Sequence, residues 1–532
     1  MNAAQSMNLG RLLTHTAQLF PDRPALIQEG GRNWTWCEME QRVSAMTVAL
    51  RELGLRKGDA ILVQSRNNIQ MFESCWIAFR LGCIWVPTNF RLTPPEVAYL
   101  GASSGVKAMI VEAIFQGHIA AVRDTVPSLK HVIAIGQAKN DEHAYEELVA
   151  RNLGQMAEHE TVAYDDPLWY FYTSGTTGRP KAGVLTHGQM SFVVTNHLAD
   201  LIPSTTEKDC SIAVAPLSHG AGIHALINVA RGAPTVLLAS EKLDPQAFWQ
   251  AVEKHRVSNL FTVPTIVKML VEHPAVDQYD HTSLRFMIYA GAPMYRADQK
   301  LALQKLGKVM VQYFGLGEVT GNITVQTTDM HSIDDEDPNA NIGSCGRPRT
   351  GMEVVVLNAD GNPLPVGEVG EICCRGPAVF SGYHDNAPAT EKALRGGWFH
   401  TGDLGRLDSR GLLYITGRES DMYIFGGSNV YPREVEEVLL THPSIAEVAV
   451  LGVPDPKWGE VGLAVVVLRD DMVLESGELL AYLEGRCARY RWPRHILFWD
   501  ILPKSGYGKI SKKDIRQQLL ERGEMNDLRG IA

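Results

Sequence analysis

A short loop rich in hydroxyls and glycine, set directly behind an apolar run, constrains this 532-residue chain more than any other segment. Trp169-Tyr170-Phe171-Tyr172 reads as a buried strand, and it runs into Thr173-Ser174-Gly175-Thr176-Thr177-Gly178-Arg179-Pro180-Lys181-Ala182. Glycine lets backbone N–H groups approach phosphate oxygens closely, hydroxyls add donors, and lysine adds a compact positive charge. A loop of this make-up at the end of a strand is suited to holding a polyphosphate. It is not a Walker P-loop, because no Gly-Lys-Ser/Thr triplet follows its last glycine at the required spacing. A free Ser/Thr/Gly linker would lack both the strand before it and the return in Gly183-Val184-Leu185-Thr186-His187.

A formal net charge of −10 with both signs interspersed offers no basic block for nucleic acid or an anionic membrane surface. Polyanion binding must therefore be local. Met1-Asn2-Ala3-Ala4-Gln5-Ser6 lacks the basic and long apolar regions of a signal peptide, and no long apolar run predicts a membrane span, so a cytoplasmic protein is expected. Cys37, Cys75, Cys83, Cys210, Cys345, Cys373, Cys374 and Cys487 are scattered without a C-x-x-C pair, which suits neither a disulfide framework nor a zinc site. Most are expected to be small buried hydrophobes.

The length calls for more than one core. Over the first 170 residues, helical patterns such as Arg42 to Leu53 alternate with short apolar runs such as Ala60-Ile61-Leu62-Val63 and Ala108-Met109-Ile110-Val111, which predicts α/β layers. The pattern repeats from 180 to 330, with strands expected at Pro234 to Leu238, Leu260 to Val263 and Phe286 to Tyr289. From about 340, Gly/Pro-punctuated runs at Met352 to Leu357 and Glu368 to Cys373 read as a β-rich subdomain. After Gly417-Arg418 a smaller α+β unit mixes a helix from Pro432 with strands at Val448 to Leu451 and Ala464 to Leu468. The expected architecture is α/β: a large domain over 1–419, made of two sheet-and-helix subdomains and the β-rich one, then a small mobile domain over 420–532.

Five further clusters follow the loop: Gly291-Ala292-Pro293, Gln312-Tyr313-Phe314-Gly315-Leu316-Gly317-Glu318, Gly397-Trp398-Phe399-His400-Thr401-Gly402-Asp403, Gly417-Arg418, and Pro503-Lys504-Ser505-Gly506-Tyr507-Gly508-Lys509. With the loop, their order resembles the adenylate-forming superfamily of acyl-CoA synthetases, peptide-synthetase adenylation domains and luciferases, over essentially the whole chain. Such enzymes join a carboxylic acid to AMP, release pyrophosphate and pass the acyl group to a thiol. The first step brings a carboxylate to a triphosphate of the same sign, so positive charge must be supplied where the phosphorus accumulates negative charge.

The resemblance implies ATP, Mg2+ and CoA, the last as a substrate, and a small-molecule carboxylic acid, with no nucleic acid partner and the assembly left open between monomer and homodimer. Glu318 matches the Mg2+ ligand, with Thr173 a second contact. The nucleotide-binding positions it implies are Thr173, Ser174, Gly175, Thr176, Thr177, Gly178 and Lys181, the Gly291-Ala292-Pro293 turn, and Gln312, Tyr313, Phe314 and Gly315. Phe314 stands for the ring that stacks on adenine, and stacking needs the ring rather than a hydroxyl. Gly317 replaces a Thr or Ser that touches the α-phosphate in relatives, a departure that removes one donor. Asp403 matches the acceptor of the ribose hydroxyls, Arg418 the arginine that reaches the ribose, and Lys509 the catalytic lysine between acyl carboxylate and α-phosphate.

Pro216-Leu217-Ser218-His219 resembles the segment whose histidine borders the acyl pocket, so His219 joins Lys509 and Glu318 as a catalytic candidate, while His224 reads as structural. The tract Gly220-Ala221-Gly222 beside it is small-residued, compatible with an extended or ring-bearing acid, but residue size alone does not give the size of a pocket. Gly426 and Gly427 match a loop that lets pantetheine pass, and Trp458, Tyr490 and Arg494 match CoA-contacting segments. Ser420 sits at the position of the family's hinge. These features imply an acid–CoA ligase for a medium- to long-chain fatty acid or an aryl acid; the alternative is an acid-AMP ligase that loads a carrier-protein thiol.

Overall fold

The computed structural model describes residues 5–139, 141–173, 179–239, 242–292, 294–504 and 510–524. These adopt the expected α/β organisation, with a seven-stranded, a nine-stranded, a four-stranded and a five-stranded sheet in addition to one short strand pair.

In the seven-stranded sheet the parallel strands Ala60–Gln64, Ile84–Pro87, Ala108–Glu112 and His131–Ile135 lie side by side. Helices cover both faces, which is why Ala60 to Val63 can be apolar without alternation. Its edge is an antiparallel hairpin of Pro167–Thr173 and Lys181–Thr186, with Thr173 opposite Lys181. The phosphate loop is thus the connection of an edge hairpin, and its residues 174–178 lie outside the described residues.

The nine-stranded sheet holds Ser211–Ala213, Asn259–Thr262, Phe286–Tyr289 and Met310–Phe314 in parallel. It also recruits Pro24–Gln28 and Asn33–Thr35, with Leu26 paired to Thr235. The first 170 residues therefore do not form a unit of their own. A buried apolar run such as Ala25-Leu26-Ile27 announces a strand but not the sheet it enters.

The four-stranded sheet, Glu353–Leu357, Gly370–Arg375, Phe399–Leu407 and Leu413–Arg418, is antiparallel. The five-stranded sheet begins at Tyr423 and has a separate core that includes Val435, Val450, Leu463 and Ile515. Between them is a turn in which Asp421 N and Met422 N both donate to Arg418 O, each at 3.1 Å.

The helix expected from Arg42 starts earlier, at Trp36, because Thr35 and Glu38 form a reciprocal cap: Thr35 Oγ1 accepts from Glu38 N at 3.2 Å and Glu38 Oε2 from Thr35 N at 2.9 Å. All eight cysteines are free, and six of them are buried. Among the described residues no helix is long and apolar enough to cross a membrane.

Candidate active site

Glu318 lies in the short turn Gly317–Val319, just after the strand Met310–Phe314, and is buried. Its Oε1 accepts from Thr173 Oγ1 at 2.8 Å and from Tyr383 Oη at 2.8 Å. Lys181, opposite Thr173, holds its Nζ 5.1 Å from the Tyr383 ring centroid. Burial, and then the negative charge of Glu318, push the Tyr383 phenol far above its ordinary range, so it stays protonated and donates. Thr173, Lys181 and Glu318 are thereby brought together from two sheets.

The backbone around this carboxylate is closely packed. A Cβ at Gly317 would sit 2.6 Å from the Phe171 ring and 2.8 Å from Thr173 Cγ2, and one at Gly315 would sit 2.5 Å from the Gly321 backbone. The residue that lacks a hydroxyl is also what allows Thr173 to bring its own hydroxyl to Glu318. Of the neighbouring candidates, Gln312 accepts from Tyr289 Oη at 3.1 Å, and Phe314 is half-buried. Tyr313 is buried in the core, its ring stacked on Phe261 at 5.8 Å. Gly291, with φ +84°, and Ala292 follow the strand Phe286–Tyr289; Pro293 lies outside the described residues.

Asp403 and Arg418 face each other across neighbouring strands, and Arg418 Nε lies 3.2 Å from Asp403 Oδ1. The approach to Asp403 passes through Gly402 at φ +72°, a backbone that suits glycine. Glu371 pins that turn by accepting from Gly402 N at 3.1 Å with Oε1, while its Oε2 lies 2.7 Å from His400 Nδ1. Cys373 Sγ is 3.3 Å from the same nitrogen, so one cysteine does stand beside a histidine and a carboxylate, on strands whose pairing the sequence spacing does not reveal. Burial pushes the Cys373 thiol up to about 12.

His219 precedes the helix Gly220–Val229, its ring 4.4 Å from that of Phe171. The small residues after it are closely packed and do not open an acid-sized cavity. A Cβ at Gly220 would lie 2.7 Å from the Phe261 ring, and one at Gly222 would strike the Leu217 carbonyl oxygen. These glycines serve close packing, and the cavity beside them, lined by Leu217, Ala221, Ala225 and Phe261, measures about 10 Å³, room for roughly one water. His224 is buried, with Nε2 2.7 Å from Asn259 Oδ1, and burial lowers its pKa to about 4.

In the small sheet, Gly426 (φ +52°) and Gly427 (φ +87°) turn the chain between Tyr423–Phe425 and Ser428–Val430. Gly426 N donates to Trp458 O at 2.9 Å, Trp458 stacks on Phe425 at 4.9 Å, and the Arg494 guanidinium lies 5.7 Å from the Phe425 centroid. Gly426, Trp458 and Arg494 thus gather around one ring. Tyr490 stands on the separate turn Arg489–Arg491, where its hydroxyl accepts from Arg491 Nε at 2.9 Å. Ser420 is exposed in the turn after Arg418, its Oγ 3.5 Å from Asp421 Oδ1. Lys509, like Ser174, Gly175, Thr176, Thr177 and Gly178, lies outside the described residues.

Residues 13–384 match the family model described as AMP-binding enzyme, and residues 434–509 match that described as AMP-binding enzyme C-terminal domain. The chain belongs to the AMP-binding enzyme family. It is similar to a feruloyl-CoA synthase of an Amycolatopsis species, 35% identical over 97% of this chain and 99% of that protein. It is likewise similar to the indoleacetate–CoA ligase of Aromatoleum aromaticum, 32% identical over 96% and 98%. Among solved structures, the o-succinylbenzoate CoA synthetase (MenE) of Bacillus subtilis, in complex with the acyl-adenylate intermediate OSB-AMP, superposes with a TM-score of 0.82 at 29% identity, covering 97% of this chain and 98% of that one.

Three side chains of this AMP-binding enzyme are not singled out by its sequence. Tyr383 and Glu371 act on Glu318 and Gly402 from other strands and turns, and no local pattern marks them. Arg349, in Gly346-Arg347-Pro348-Arg349-Thr350-Gly351, is buried, and nothing in its local sequence marks it.

Proposed function

We propose that this protein is an acid–CoA ligase whose acid is an aryl carboxylic acid. It joins the acid to AMP with ATP and Mg2+, releasing pyrophosphate, and then transfers the acyl group to CoA, giving acyl-CoA and AMP. The observation that carries the reading is the convergence of Thr173 and Tyr383 on Glu318 Oε1 beside Lys181. Both hydroxyls donate to one oxygen, and the Glu318 carboxylate so oriented, with Thr173, would hold Mg2+. The Thr173 hydroxyl, donating its hydrogen bond to Glu318, keeps oxygen lone pairs that would serve the same ion, a hard donor set that fits magnesium.

In this reading Phe314 stacks on adenine, Asp403 accepts from the ribose with Arg418 beside it, and Lys509 bridges acyl carboxylate and α-phosphate. Lys181 supplies positive charge near the β- and γ-phosphates. Residues 1–419 form the adenylating domain and 420–532 the domain that turns about Ser420. The aryl assignment rests on the Phe171 ring beside His219, on Phe261 against Gly220 with Tyr313 stacked on it, and on the feruloyl and indoleacetate relatives. The gathering of Gly426, Trp458 and Arg494 about Phe425 supports CoA over a carrier protein as acceptor. Free cysteines throughout accord with a reducing, cytoplasmic setting.

The test is pyrophosphate release over a panel of aryl and fatty acids, with acyl-CoA followed by chromatography as ATP, Mg2+ and CoA are each left out. Thioester is expected only when all three are present. Thioester with a carrier protein but not with CoA would overturn the assignment.

A further inference from the structure

Arg349 follows the strand Arg347–Pro348 at the edge of the nine-stranded sheet and is 1% exposed. Its Nε lies 3.4 Å from Asp200 Oδ2, at the end of the helix His187–Asp200. That carboxylate is already engaged by Thr350 N at 3.0 Å, Thr350 Oγ1 at 2.8 Å and Asn196 Nδ2 at 3.2 Å. Both terminal nitrogens of Arg349 are buried without a hydrogen-bond partner among the described residues. A guanidinium keeps its charge in an interior, and leaving its donors unpaired there is costly. Burial pulls its pKa down to about 10, with Asp200 opposing, so it remains charged at neutral pH. His197 beside it offers no counter-charge, since burial and then the Arg349 charge hold its imidazole neutral.

A line of rings connects this charge to the candidate active site. Tyr313 pairs across the sheet with Val325, which pairs with Arg347 two residues from Arg349; its ring lies 6.2 Å from that of His197 and stacks on Phe261. Phe261 packs against Gly220, the residue after His219, and His219 in turn meets Phe171 beside Gly317. An acid whose carboxylate lies near Thr173 and Glu318, and whose body follows these rings, has its far end directed toward Arg349. The rings are closely packed in this structure, so admitting an acid turns Tyr313 or Phe261 aside.

We infer that Arg349 is a specificity-determining residue that receives an acceptor oxygen, a second carboxylate above all, at the end of the acid remote from the carboxylate that is activated. A wholly apolar acid leaves the two nitrogens unpaired, and a site built to pair with a polar group discriminates strongly against an analogue that lacks it. The inference rests on the acid–CoA ligase reading and adds to it the chemistry of the far end of the substrate.

The experiment compares kcat/KM for pyrophosphate release across matched pairs: benzoate with terephthalate, phenylpropanoate with its 4-carboxy and 4-hydroxy derivatives, and hexanoate with adipate. The wild-type protein is expected to favour the oxygen-bearing member of at least one pair by at least about 10-fold. Arg349→Met is expected to abolish that preference, and Arg349→Lys to keep part of it. Equal rates within every pair, or an unchanged preference in Arg349→Met, overturn the inference while leaving the ligase assignment standing. No pyrophosphate from any acid overturns the ligase assignment itself. Thermal melting checks that the variants fold. Should Arg349→Met fail to fold, the wild-type preference and its reduction in Arg349→Lys decide the matter, and an undiminished preference in Arg349→Lys counts against it.

Discussion

The Thr173 hydroxyl meets the Glu318 carboxylate at 2.8 Å although 145 residues separate them, and each comes from a different sheet. Any movement between the two sheets is therefore felt at the carboxylate we propose as the Mg2+ ligand. Tyr383, arriving from a third segment, fixes the same oxygen from another side.

Removing that third support should weaken metal binding. Tyr383→Phe is expected to raise the Mg2+ concentration needed for half-maximal pyrophosphate release by about 10-fold, the scale of losing a partner that orients a metal ligand. Activity at saturating Mg2+ should change little. A Mg2+ titration with unaltered midpoint would show that Tyr383 does not orient Glu318 for the ion.

Gly317 and Phe171 should be coupled through space. Gly317→Ala puts a methyl 2.6 Å from the Phe171 ring, an overpacking expected to cost about 1–3 kcal/mol in thermal or denaturant unfolding. Phe171→Leu in the same chain should recover much of the loss. Strictly additive effects in the double mutant would mean that the ring is not the obstacle.

Lys509→Ala should lower acid-dependent pyrophosphate release by about 10²–10³-fold, the scale of one charge contact made in the transition state. Thioester formation from synthetic acyl-AMP and CoA should survive. Equal loss in both half-reactions would place Lys509 outside the adenylation step.

Ser420→Pro fixes φ near −65° in the turn that follows Arg418, where Asp421 N and Met422 N donate to its carbonyl. If the proposed small domain turns about Ser420, acyl-AMP formation is expected to persist and thioester formation to fall by at least about 100-fold, because only one of its arrangements would stay accessible. Rapid-quench measurement of the two steps checks this, with Asp421→Pro as control. Wild-type thioester rates in Ser420→Pro would move the pivot to Asp421.

Buried histidines set an acid limit on stability. His187 Nδ1 accepts from Leu9 N at 3.2 Å, and His224 Nε2 lies against Asn259. Burial pulls both from the ordinary 6.5 to about 4. The unfolded chain takes up protons that the native fold refuses, so this stability is complete above pH 6.5 and is lost as pH falls toward about 4, at roughly 1.4 kcal/mol per unit for each histidine. Melting temperatures from about pH 7.5 to 4.5 should fall, and His224→Gln should flatten the slope. A slope unchanged in that variant would remove His224 from the account.

Much of this was readable in the chain because it is local. The apolar run at Trp169 to Tyr172 and the turn glycines at 426 and 427 carry their conformations in their residue types. The early start of the helix at Trp36 was also written there, in the Thr35-Trp36-Cys37-Glu38 cap spacing, though apolar periodicity alone places it later. What local pattern cannot supply is which distant elements meet. Arg349 finds Asp200 across 149 residues, and Cys373 finds His400 only because two strands pair. Likewise, Gly220 and Gly222 suggest open space in sequence, whereas the Phe261 ring and the Leu217 carbonyl fill it.

The pairing of Leu26 with Thr235 has a consequence for the chain during its synthesis. The early strand has its hairpin neighbour Asn33–Thr35 at once, but its other edge must await a partner made roughly 200 residues later, about 10–40 s at ordinary elongation rates. Through that interval the neighbouring seven-stranded sheet can already assemble, while Ala25, Leu26 and Ile27 remain uncovered. Until Thr235 is made, one edge of this apolar strand stays open, so the nine-stranded sheet closes late in synthesis.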